Sequence, residues 1–134
     1  SVLTDEIDPD DESDLDASSL EHLVIPEGVE VYEINGPYFF GVANKFEDVM
    51  ANMQKCPKVR IIRMRKVPFV DSTGMHNLAN LISMSHKDGV TIILSGVNDK
   101  VRKVLDKNRF VELVGDDNIC PNINVALETA KKYV

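Results

Sequence analysis

Several residue types are scarce in this sequence, and each scarcity argues against a class of protein. There is no tryptophan, and the two cysteines, Cys56 and Cys120, match neither a CxxC motif nor a His/Cys metal spacing. A disulfide-stapled secreted domain is therefore disfavoured, and two reduced thiols in a cytosolic protein are expected. No apolar run approaches the roughly 20 residues of a membrane-spanning helix, and the first residues are acidic where a signal peptide would be basic and then apolar.

A basic excess is also absent, but the charges are unevenly distributed. Residues 1–18 carry eight Asp or Glu side chains and no Lys or Arg, so of the net charge of −7 the remaining chain carries +1. Such an acidic segment, poor in apolar residues, predicts a flexible linker or tail, because it cannot bury enough surface to offset its ordering entropy. An acidic arm that docks on a basic partner is the alternative. Residues 19–134 then form one domain of ordinary size.

The first part of this domain predicts a hairpin and a helix. Residues 28–34 alternate apolar and polar side chains, and Asn35, Gly36 and Pro37 turn the chain into a second apolar run at residues 38–40, which is typical of a β-hairpin. Apolar residues at helical spacing then predict a helix over about residues 42–54, which ends before Pro57.

Two strand-helix units follow. Residues 59–64 and 90–94 are short, β-branched runs typical of buried strands. Asp71 and Ser72 predict the start of a helix that ends at Asp88 and Gly89, and residues 96–98 lead into another. Residues 110–114 are expected to be an edge strand or a turn. Pro121 opens a last helix, so the predicted order is ββαβαβα(β)α.

The fold class expected from this order is α/β, with a small mixed β-sheet packed against about four helices. The N-terminal hairpin supplies the antiparallel part, and residues 59–64 and 90–94 are expected to be adjacent, parallel central strands with right-handed crossovers. Ligands and partners of such sheets usually meet the loops at the carboxyl ends of the strands. Here those loops are residues 67–72 and 95–98.

The first of these loops holds the most informative motif, two hydroxyl side chains in a row at the start of a helix. A helix N-terminus stabilises a phosphate, whether bound or attached to Ser72 or Thr73. An ordinary helix cap formed by Asp71 and Ser72 is the simpler interpretation, because both residue types are preferred N-caps. The residues alone leave the two interpretations open.

Enzyme motifs are incomplete throughout, so no enzymatic activity and no cofactor are expected. The sequence has no GxSxG, GxxxxGK[ST], HExxH or GxGxxG motif, and its three histidines have no cysteine or paired carboxylate nearby. His76 and His86 avoid the apolar stripe of their helix and are expected to face solvent. The basic residues of 55–66 and 100–109 lack interleaved aromatics and a basic excess, which argues against nucleic acid and leaves phosphate, anionic lipid or an acidic protein as alternatives to a solvated surface.

Over residues 20–134 the chain resembles the STAS domains, named for sulfate transporters and anti-sigma-factor antagonists. Residues 35–43, NGPYFFGVA, are similar to the hairpin of the transporter branch, and residues 63–65 through 71–75, ending in DSTGM, are similar to its switch loop. In stand-alone antagonists the pattern is Asp-Ser-Ser-Gly, and the second hydroxyl residue is phosphorylated. That position corresponds to Thr73, a match by residue type and not by identity.

The resemblance implies the carboxy-terminal cytosolic domain of a SulP-type anion permease, at the cytoplasmic side of the membrane, with residues 1–18 as the connection to a membrane domain. Its implied partners are that membrane domain and a cytosolic regulatory protein or a second protomer. Thr73, then Ser72, is the candidate phosphoacceptor. The other residues of the switch loop and its helix cap are Phe69, Val70, Asp71, Gly74 and Met75. The candidate contacts for an anion, a nucleotide or a partner are Arg63, Arg65 and Asn98.

Two other functions stay open at this point. One is a free anti-sigma-factor antagonist that acts as a phospho-switch through the same loop. A reading frame that continues upstream into about ten or more apolar segments of transmembrane length would separate the transporter from the antagonist. The other is a module with weak nucleotide binding, which the lack of a phosphate-cradling glycine loop disfavours.

Overall fold

The computed structural model describes residues 23–35 and 57–134, and these contain a parallel sheet with helices on both faces. The strands are β1 (Val29–Asn35), β2 (Val59–Lys66), β3 (Thr91–Ser95) and β4 (Ile119–Cys120), in the order β1-β2-β3-β4. The α-helices are α1 (Ser72–Lys87), α2 (Asp99–Lys107), α3 (Phe110–Val114) and α4 (Ile123–Ala130), and Asp116–Asn118 forms a 3₁₀ turn. The expected α/β class is confirmed.

The two expected central strands are adjacent and parallel. Ile61 of β2 lies opposite Ile93 of β3, and Val31 of β1 lies opposite Ile61 on the other side. All pairings between described strands are parallel. The second strand of the predicted hairpin, the helix predicted over residues 42–54 and the acidic residues 1–18 lie outside the described residues.

The sheet separates two apolar clusters, because successive side chains of a strand point to opposite faces. One cluster joins Ile62 and Leu94 to α1, α2 and α3, and the other joins Ile61 and Ile93 to α4. No helix in the described part of the chain is long and apolar enough to cross a membrane.

Three helices begin with the same capping contact. Asp71, Asn98 and Asn122 each have extended backbone, and each side-chain oxygen accepts a hydrogen bond from the backbone N–H three residues later, at 2.7, 2.7 and 2.9 Å. This contact satisfies one of the N–H groups that a helix start leaves without a partner. The predicted starts of α1, α2 and α4 and the end of α1 at Asp88 are confirmed.

The prediction for residues 110–114 is wrong, since they form the one-and-a-half-turn helix α3. Phe110 and Val114 are both buried, four residues apart, whereas the residues between them are more exposed. Arg109, with φ of 64°, and Gly115, with φ of 94°, bound the helix with left-handed backbone. Five residues are too few for the sequence to distinguish a spacing of four from strand alternation. The edge strand is instead β4, only two residues long.

Candidate functional site

Asn98 links the two loops that the sequence places at the carboxyl edge of the sheet. Its Oδ1 caps α2, and its Nδ2 donates to the carbonyl oxygens of Val67 and Pro68, each at 3.2 Å. Val67 itself donates to the carbonyl of Met64, which turns the chain directly after β2. The structure therefore holds residues 67 and 68, directly before the switch loop (residues 69–75), against the start of α2.

The switch loop divides into an exposed and a buried part. Asp71, Ser72 and Thr73 are exposed, whereas Val70, Gly74 and Met75 are buried. Asp71 is a true cap, because its Oδ1 accepts from the Gly74 N–H at 2.7 Å. Ser72 and Thr73, which follow Asp71 in the first turn of α1, are exposed to solvent. A kinase or a partner would need this exposure to reach the two residues. The phosphoacceptor role of Thr73 and Ser72 stays a prediction.

A groove of about 550 Å³ lies beside the switch loop, between α1 and the segment formed by α2 and α3. Apolar side chains form its floor, and polar or charged side chains form its rim. The floor residues are Val70, Met75, Ala79, Val104 and Phe110, and the rim residues are Asp71, Ser72, His76, Lys107 and Asn108. Groove volumes in this range are typical of binding sites.

Arg63 and Arg65 are not presented at the surface. Their side chains are 0% and 2% exposed, and both lie next to the buried carboxylate of Glu33 on β1. Arg65 Nε donates to Glu33 Oε1 at 2.5 Å, and Arg63 Nη1 lies 3.9 Å from Glu33 Oε2. This geometry favours a role in joining β1 to β2, and contact with an anion or a partner stays an untested prediction for both arginines. The third candidate, Asn98, has its amide engaged as described above.

Two charged residues near the loop were not identified as site residues from the sequence. Lys100 Nζ lies 5.5 Å from the centroid of the Phe69 ring, a cation–π distance. Glu33 is the shared partner of two arginines. Lys100 belongs to a basic run that the sequence does show, but its position over Phe69 depends on how α2 packs. The sequence does not show that Glu33 faces the two arginines, because that depends on the parallel register of β1 and β2.

The histidines and the possible metal ligands of the described residues are candidates for a second site. His76 and His86 are exposed, as expected, and His76 lies within 3.4 Å of Asn80. Within residues 23–35 and 57–134, no group of three or more His, Cys, Asp or Glu side chains is arranged to hold a metal ion.

The chain is similar in sequence and in fold to several known proteins. The family model described as STAS domain matches residues 22–126. A sulfate transporter family protein from Wolinella succinogenes is 42% identical with a TM-score of 0.78, over 90% of this chain and 98% of that structure. A SulP transporter STAS domain from Vibrio cholerae is 38% identical with a TM-score of 0.71, over 81% and 85% of the two chains. A curated relative, the putative sulfate transporter YvdB of Bacillus subtilis, is 27% identical over 65% of this chain, which spans 17% of that protein's length.

Proposed function

Because the chain belongs to the STAS domain family, we propose that it is the cytosolic regulatory domain of a SulP-type transporter for an inorganic, sulfate-like anion. Its role is to contact other proteins and not to catalyse a reaction. Support for the transporter comes from the 38% identity to a SulP transporter STAS domain and from the similarity to proteins named as sulfate transporters. In this proposal residues 1–18 connect the domain to the membrane part, and the domain lies on the cytoplasmic side.

The observation that carries the regulatory role is the exposure of two consecutive hydroxyl residues, of which Ser72 lines the groove. Ser72 and Thr73 lie at the carboxyl edge of a parallel sheet, where partners usually bind. A phosphate on Thr73 adds a charge of about −1.5 to −2, which the positive end of α1 stabilises and the neighbouring Asp71 repels. Phosphorylation is therefore expected to change partner binding more than domain stability.

The test replaces Thr73 in the full-length transporter by Glu and by Ala. Ser83, an exposed hydroxyl residue further along α1, supplies the matched controls Ser83→Glu and Ser83→Ala. Anion uptake and the melting temperature of the domain are measured in parallel. We expect Thr73→Glu and Thr73→Ala to change uptake in opposite directions, with little change in melting temperature, whereas the Ser83 variants transport like the parent.

Two results would contradict the regulatory role of this loop. If both Thr73 variants transport like the parent, the hydroxyl is not a switch. If both unfold the domain, the loop is structural. The exposure of Thr73 also suits the alternative of a free antagonist, which predicts phosphorylation of the isolated domain by an anti-sigma kinase and no effect on uptake.

A further inference from the structure

The outer face of α2 carries positive charge that the described structure does not neutralise. Lys100, Lys103 and Lys107 are exposed and lie at positions i, i+3 and i+7, which places them on one face of the helix. In the part of the chain that the structure describes, neither Lys103 nor Lys107 forms an ion pair. Lys107 also lines the groove beside the switch loop.

The neighbouring arginines are already neutralised. Arg102 forms ion pairs with Asp106 at 2.9 Å and Asp116 at 2.6 Å, and hydrogen bonds to these two carboxylates raise its pKa. Arg109 is paired with Glu112. On this helix the positive charges available to a ligand are therefore those of Lys100, Lys103 and Lys107, beside the apolar groove.

Residues 1–18 have the complementary chemistry. They carry eight carboxylates without a basic side chain, and four larger apolar residues, Val2, Leu3, Ile7 and Leu15, stand between the acids. Carboxylates suit Lys107 on the rim and Lys103 one turn earlier on the same face of α2, and the apolar side chains suit the floor formed by Met75, Val104 and their neighbours.

The segment is also long enough to reach the groove. Leu23 packs against the cluster around α4, on the face of the sheet opposite the groove, so the segment must pass round the domain. Twenty-two residues precede Leu23, and extended chain spans up to about 3.3 Å per residue, so Ser1 has a reach of roughly 70 Å and residues nearer Leu23 have less. The N-terminal part of the segment can therefore pass round a domain of this size. A tethered segment acts at an effective concentration of about millimolar, which favours it over a free acidic partner of equal chemistry.

We propose that residues 1–18 dock in the groove between α1 and α2, with their carboxylates on Lys103 and Lys107 and their apolar side chains on its floor. Asp71, on the rim of the groove, opposes an acidic ligand, so the lysines must supply the attraction. The docking depends on charges within this chain and does not require the regulatory function proposed above.

A spin label at Ser13→Cys tests the proposal in the 134-residue chain. Cys56→Ser removes a second cysteine that the label could modify. Cys120 is inaccessible to the label because it is 3% exposed. We expect the nitroxide to weaken the amide signals of His76, Val104, Lys107 and Asn108 in nuclear magnetic resonance spectra. The signals should recover in about 0.5 M NaCl, where the Debye length is only about 4 Å.

Charge reversals give the matched comparison. Lys103→Glu with Lys107→Glu should restore the groove signals, whereas Lys87→Glu with Lys132→Glu should leave them weakened. The control changes net charge equally, and Lys87, like Lys107, lies in the last turn of its helix. Signal loss that is absent, spread over the surface, or equally affected by both double variants would overturn the proposal. If the signals weaken only in a mixture of labelled chain with unlabelled chain, the segment docks on a second copy. That result would also overturn the proposal.

Discussion

The amide nitrogen of Asn98 lies 3.2 Å from the carbonyl oxygen of Val67, so one side chain after β3 holds the loop that follows β2. The same side chain caps α2 through its Oδ1. The two contacts use different atoms, and substitutions can therefore separate them.

For Asn98 we expect Asn98→Asp to keep the cap and lose both donors to the loop, whereas Asn98→Ala loses cap and donors. Each lost contact of this kind costs about 1 kcal/mol. Both substitutions should lower the free energy of unfolding and increase amide exchange at residues 69–75, and Asn98→Asp also turns a carboxylate oxygen toward the two carbonyl oxygens. Urea unfolding and hydrogen exchange measure the two effects. Unchanged exchange in the loop with Asn98→Asp would show that the loop is held by other contacts.

Glu33 joins β1 to β2 through two arginines, and Glu33→Gln removes its charge while keeping its shape. Since the Glu33 side chain is 0% exposed and its carboxylate faces Arg63 and Arg65, the substitution should cost about 3 kcal/mol, the lower end for a broken buried pair. Glu128→Gln is the control, because Glu128 pairs with Lys131 at the surface and should leave the stability unchanged. Equal denaturation midpoints for the two variants would refute a structural role for Glu33.

Ile93 lies in the centre of β3 and is fully buried between its neighbours and α4. Ile93→Ala should lower the free energy of unfolding by about 2 to 5 kcal/mol, because it removes buried methylene groups and leaves a cavity. Val125→Ala, on the outer side of α4 where Val125 is 41% exposed, should cost far less. A melting curve of the Ile93 variant that overlays the parent curve would argue against this packing.

Cys120 makes the stability of the fold depend on pH in the alkaline range. Burial raises the pKa of its thiol, although a hydrogen bond with Thr129 opposes the shift. A folded-state pKa above the unfolded value of about 8.5 means that the thiol's contribution to stability is fully present below that pH and is lost as pH rises through the folded pKa.

The check for Cys120 is urea unfolding at pH 7 and at about pH 9.5, roughly one unit above the unfolded thiol pKa, of the Cys56→Ser chain with and without Cys120→Ala. The chain that keeps Cys120 should lose more stability on going to alkaline pH. Identical losses in the two chains would mean that the thiol does not titrate differently in the folded state.

The sequence by itself determined the elements whose signals are local. The strands at residues 59–64 and 90–94, the helix start at Asp71 and the loop at residues 67–72 all follow from β-branched runs, capping residues and turn residues, which act within a few positions of the chain. The interpretation of residues 69–75 as a switch loop comes from the resemblance to STAS domains. Their parallel adjacency also follows, since a helix of crossover length connects them.

Only the tertiary structure decided what depends on contacts between distant residues. The sequence shows Arg63 and Arg65 as basic residues near a loop, but the parallel register turns them toward Glu33, about thirty positions away. It shows Asn98 as a loop residue, but packing makes it the link to Val67. The helix at Phe110–Val114 escapes prediction because its five residues carry too little periodicity, and burial of Phe110 and Val114 on one side selects the helix. The groove beside Ser72 is formed by three separate helices, so no local pattern encodes it.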